Sequence, residues 1–139
     1  MNNKQKGFSL IELLVVVTIV AIIAALAVPF LKKAVYAAEN GAVFATIRIM
    51  SSGQVTHYTQ KQRYARLDEL NAQMGDVFGT TSGNTILRKN FTFTMSPTSP
   101  TDAELKDNFT ILASKTTDIY DLPYVISLSA DGEIVQIIP

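Results

Sequence analysis

The 139 residues carry twelve basic and twelve acidic side chains, no cysteine, and a hydrophobic fraction of 47%. Such a length holds one small domain and an accessory element. The missing cysteines exclude thiol nucleophiles, thiolate metal sites and disulfide staples, and the neutral balance gives nucleic acid no basic surface to recognise.

The apolar residues are concentrated at one end. Between Leu13 and Leu31 the only polar side chain is Thr18. As a helix that run spans about 28 Å, close to the hydrocarbon thickness of a bilayer. The remainder of the chain is a polar, thinly cored domain with no disulfide to hold it. The simplest source of its stability is a sheet packed against the helix that carries it.

Lys4 and Lys6 precede the apolar run, and three readings compete for this start. Ala25-Leu26-Ala27 resembles a signal-peptide cleavage site, which would release a soluble protein beginning at Val28. The run also suits a plain membrane anchor. In the third reading a short leader ends at Gly7. Glu12 separates them. A carboxylate in an apolar segment costs about 2.5–3.5 kcal/mol at the centre of a membrane helix, and less near its end. A signal peptide or simple anchor gains nothing from it. A subunit that leaves the bilayer for a filament has a use for it: cleavage after Gly7 creates an α-amino group four residues before Glu12. That amine can pair with the carboxylate of a neighbouring copy. A buried pair adds little net stability but can set register.

The run Lys6-Gly7-Phe8-Ser9-Leu10-Ile11-Glu12-Leu13-Leu14-Val15-Val16 is similar to the N-terminal signature of bacterial type IV pilins and type II secretion pseudopilins. The resemblance implies cleavage between Gly7 and Phe8 by a membrane prepilin peptidase, N-methylation of Phe8, and filament assembly through Glu12. Pro29 falls where many members interrupt the helix, whereas Ala21 stands where many have glycine. Residues 1–7 are then a leader and residues 8–31 a transmembrane and assembly helix.

Lys32 and Lys33 end the apolar run, and residues 32–62 continue it as an amphipathic helix. Phe44, Ile47, Val55 and Tyr58, with Ser51 between them, form one stripe to seat a sheet, leaving Arg48, Gln54 and Lys61 off it. Gly41 and Gly53 are unfavourable in a helix interior; they mark bends or close contacts between packed subunits, or are simply tolerated there. His57 has no partner cluster and is placed on the helix surface. Lys61, Arg63 and Arg66 are placed at a solvated helix end, and the aromatics from Phe8 to Tyr64 are assigned to packing.

Residues 63–90 are expected to connect helix and sheet, with a helical turn at Leu67–Leu70 and a loop from Gly75 to Asn84. Residues 91–139 hold the antiparallel sheet. Phe91, Phe93 and Met95 alternate cleanly; Phe109, Ile111 and Ala113 come next, then Tyr124, Ile126 and Leu128. Asp131-Gly132 turns into a last strand, giving about four strands in all. The expected fold class is α+β: one long helix against a small antiparallel sheet.

Chemistry is sparse. Asp118 and Asp121 are too few for a dedicated calcium site and are read as solvated loop acids. Asn90-Phe91-Thr92 and Asn108-Phe109-Thr110 match the glycosylation pattern but overlap expected strands. Neither a catalytic triad nor a phosphate loop is present, so no enzyme, cofactor or metal is expected. The expectation is a structural subunit of a pilus or pilus-like filament. Its partners would be copies of itself, the peptidase, the assembly machinery and, before assembly, the inner membrane, which it would cross once. A secretion pseudopilin in the periplasm is the first alternative; a secreted or anchored binding domain is the second.

Overall fold

A computed structural model describes residues 7–115 and 124–138. Its first element, α1, is a helix of 52 residues from Leu10 to Lys61. A chain this apolar favours helix because every backbone donor and acceptor is then satisfied within the segment. Pro29 lies inside α1, and the helix continues past it. Proline has no N–H to donate, so this position breaks the helical hydrogen-bond ladder without ending the helix.

The chain divides into two compact units, residues 1–40 and 41–139. The second unit contains the core. After α1 come α2 (Leu67–Gln73), β1 (Thr80–Ser82), β2 (Thr85–Arg88), β3 (Phe91–Met95), α3 (Glu104–Asp107), β4 (Thr110–Lys115), β5 (Val125–Ser129) and β6 (Ile134–Ile138). The strands form one antiparallel meander in chain order, β1 to β6. The buried cluster joins Val43, Ile47 and Met50 of α1 to Leu67 and Leu70 of α2 and to Phe93, Ile111, Ile126 and Leu128 of the sheet. The α+β expectation holds: a long helix packs with an antiparallel sheet, which has six strands rather than four.

The two further strands lie where the sequence suggests a loop. Neither β1 nor β2 alternates in hydrophobicity, and only Ile86 among them is buried. Pairing rather than burial holds them: Thr81 faces Ile86, and Ile86 faces Phe93. Gly79, which leads into β1, has φ of 138°, and a Cβ there would lie 2.3 Å from the Leu87 carbonyl oxygen. Asn71 of α2 braces the same corner, donating from Nδ2 to the Gly79 carbonyl at 2.9 Å and accepting the Phe78 N–H at 3.1 Å. The expected turn at Leu67–Leu70 extends to a seven-residue helix.

The core-facing stripe of α1 differs from the expected one. Val43, Ile47, Met50, Gln54 and His57 are buried, whereas Val55 is 59% exposed. Two polar residues lie on this stripe because each finds a partner. The Gln54 carboxamide forms a two-point bridge to the Ala65 backbone, donating at 2.9 Å and accepting at 2.7 Å. His57, expected on the surface, is buried, with Nδ1 at 2.8 Å from Gln73 Oε1. An amide oxygen only accepts, so Nδ1 carries the proton. Gly53 makes a close contact within the chain: a Cβ there would meet Leu70 Cδ1 at 2.9 Å.

Candidate functional site

The functional candidates lie at the start of α1. Residues 7–9 are non-helical and exposed, and the helix begins at Leu10. The Gly7–Phe8 bond therefore lies in accessible, irregular backbone just ahead of a rigid helix, a geometry a peptidase can enter without melting hydrogen bonds. Phe8 is 90% exposed.

Glu12 closes the first turn. Its Oε2 accepts the Ser9 N–H at 2.9 Å, and the Leu13 N–H donates to the Ser9 carbonyl at 3.2 Å. This is the reciprocal half of a capping box, in which a carboxylate at the third helical position satisfies a backbone donor the helix leaves free. It also places negative charge at the positive end of the helix dipole. Phe8, Ile11, Val15 and Val16 border the carboxylate.

From Leu10 to Leu31 the large apolar side chains are exposed on every side of α1. Thr18 removes its own polarity by donating to the Leu14 carbonyl at 2.7 Å. One stretch of α1 is long and apolar enough to cross a membrane. Phe30, assigned to packing, is 71% exposed in the single chain.

The other candidates fall differently. Arg63 and Arg66, expected at a solvated helix end, are part-buried in an ion-pair cluster. Arg63 grips Glu69 through two bonds of 2.8 and 2.7 Å, and Arg66 pairs with Asp102 and donates to the Pro100 carbonyl at 3.2 Å. The Arg63 hydrogen bond, with help from the Arg66 N–H, holds the Glu69 carboxyl at about 2 against the opposing effect of burial. Asp102 lies 36 positions from Arg66, a separation that no local sequence pattern reveals.

Asn90 is exposed immediately before β3, and Asn108 is exposed two residues before β4. Lys4, Lys6, Asp118 and Asp121 lie outside the described residues. Among the described residues, no group of three His, Asp or Glu side chains is placed to hold a metal.

Residues 2–28 match the family described as "Prokaryotic N-terminal methylation motif". This is the prepilin-type signature of type IV pilins and pseudopilins, and with the apolar helix it is consistent with a membrane-anchored precursor. No solved structure matches the chain.

Proposed function

We propose that the chain is a structural, non-catalytic subunit of a type IV pilus or pilus-like filament. The observation that carries this reading is the juxtaposition at the start of α1. An accessible Gly7–Phe8 bond stands directly before a helical run, Leu10 to Leu31, that is apolar on all sides and whose first turn holds the one carboxylate of that run, Glu12.

In this reading the precursor lies in the inner membrane through residues 8–31, and prepilin peptidase cuts after Gly7. The freed Phe8 amine is methylated and remains one turn from Glu12. Removal of the subunit from lipid exchanges helix–lipid contacts for helix–helix contacts, which the all-round apolar surface permits without a change of fold. A carboxylate at a fixed height in the bundle makes every axial offset but one leave a charge unpaired in apolar surroundings. That penalty sets the register. Pro29, which cannot donate to the helix ladder, is the point where α1 bends most easily during packing.

Intact mass and N-terminal sequencing of the assembled protein test the processing. The expected product begins at Phe8 carrying one added methyl group. A start at Val28 would indicate a secreted protein, and a start at Met1 an anchor. The Glu12→Ala variant is expected to be cleaved normally yet to yield no filaments. Polymerisation at normal yield would sink the register argument. The absence of cysteines suits a secretion pseudopilus as well, and imaging tells the two apart: a surface pilus extends from the cell, whereas a pseudopilus stays in the periplasm.

A further inference from the structure

The two ends of β3 differ in shape and in charge. Where β3 finishes and β4 begins, a groove of about 280 Å³ is bounded by Met95, Pro97, Pro100 and Phe109, with Glu104 and Asp107 of α3 at its side. That volume is small for a cofactor or metabolite and suits a single side chain. Glu104 is fixed in place: its Oε2 accepts the Thr101 N–H and the Thr101 hydroxyl, each at 2.7 Å. These bonds hold its carboxyl below the usual carboxylate range, so it is charged at neutral pH. Asp107 follows three positions later and pairs with no cation among the described residues. Apolar walls beside two carboxylates fit a side chain with an aliphatic stem and a positive head.

The other end of β3 holds out such a side chain. Arg88 faces Phe91, so Lys89 and Asn90 make a two-residue turn between β2 and β3. Lys89 is exposed and has φ of 51°, a left-handed backbone in which glycine or asparagine would be ordinary. It makes no ion pair among the described residues. Arg88 instead turns back to α1, donating to Thr46 Oγ1 at 2.9 Å. Turn and groove are separated by the length of β3, about 14 Å from the ordinary strand rise, so Lys89 does not reach the groove of its own chain.

The filament reading supplies the missing partner. There every α1 points the same way, so the groove end of one copy meets the turn end of another and never its own image. Such a contact is heterologous: it leaves one groove and one lysine free at its two ends and repeats without closing. Lys106 lies on α3 at the groove end itself, which makes it the wrong cation for this meeting.

We propose that the groove beside Glu104 and Asp107 receives the Lys89 side chain of a neighbouring copy, joining sheet domains end to end. The inference rests on the filament reading and names the residues through which the domains outside the helical core meet.

Disulfide trapping in filaments assembled from the full chain tests it. The chain has no cysteine, so any bond formed is the introduced one. Asn90→Cys and Asn108→Cys stand at the turn and the groove and leave Lys89, Glu104 and Asp107 intact. Oxidised filaments of the double variant should give a covalent ladder running past dimer, whereas each single variant should stay monomeric. Charge reversal is the second arm. Lys89→Glu and Asp107→Lys should each lower filament yield about tenfold by setting like charges together, and the two combined should restore it. Filaments at normal yield without a ladder would leave the groove to another partner, overturning the inference and leaving the filament reading intact. A ladder that stops at dimer, or a charge swap that restores nothing, would overturn it as well. No filaments from the unaltered chain would remove the filament reading and this inference together.

Discussion

Gln54 replaces a stretch of secondary structure with a side chain. As α1 ends and the chain reverses toward α2, the Ala65 N–H and carbonyl are buried with no strand or helix to receive them, and one carboxamide satisfies both. Gln54→Leu keeps the bulk and strands both groups. Urea denaturation of the full chain in detergent should show a loss of about 2–6 kcal/mol, since each of the two unpaired buried groups costs about 1–3. The glycines allow a paired comparison. Gly79→Ala forces a Cβ onto the Leu87 carbonyl at a positive φ and should cost about 2 kcal/mol or more by the same measurement. At Gly53 the obstacle is the flexible end of Leu70, and alanine gains about 1 kcal/mol of helix propensity. Gly53→Ala should therefore leave stability nearly unchanged. Glu69 makes stability depend on acid. Its folded-state value is lowered to about 2 from 4.5, so its contribution is present above pH 4.5 and is lost as pH falls toward 2. The side chain is 31% exposed, and solvent screening limits that contribution to about 1 kcal/mol. The denaturation difference between the unaltered chain and Glu69→Gln should be clear at pH 7 and nearly gone at pH 2.

At the scale of elements, patterns with a strong period were legible. The apolar run announced α1 through composition alone. Phe91, Phe93 and Met95 announced β3, whose alternation recurs in its burial. Phe93 is fully buried at the centre of the sheet, and Phe93→Ala should cost about 3–5 kcal/mol in the same denaturation measurement. The strands β1 and β2 were not legible, because Thr, Ser and Gly signal a loop wherever pairing, not burial, holds the backbone. The stripe on α1 was misjudged for a related reason. Its true line includes Gln54, His57 and Gly53, whose burial depends on Ala65, Gln73 and Leu70, and hydrophobicity carries no trace of such partners. The N-terminal segment was legible because its residues are adjacent. Gly7, Phe8 and Glu12 fit within one short motif that matches a family model, whereas the cluster of Arg63, Arg66, Glu69 and Asp102 is assembled only by folding.

At the scale of the molecule, the labour is divided along α1. Among the described residues burial begins at Val43, so the core takes no side chain from the apolar run. A fragment beginning at Gly41 should keep its sheet and unfold cooperatively in water without detergent, as monitored by circular dichroism. The full chain should need detergent or assembly to stay dispersed. The meander bears on timing as well. Each strand pairs with the next one along the chain, so no step of sheet formation waits for a distant segment to arrive. Short loop closures make folding fast. A domain wired this way can zip from β1 onward strand by strand, leaving little time in which a half-paired edge is open to a neighbour.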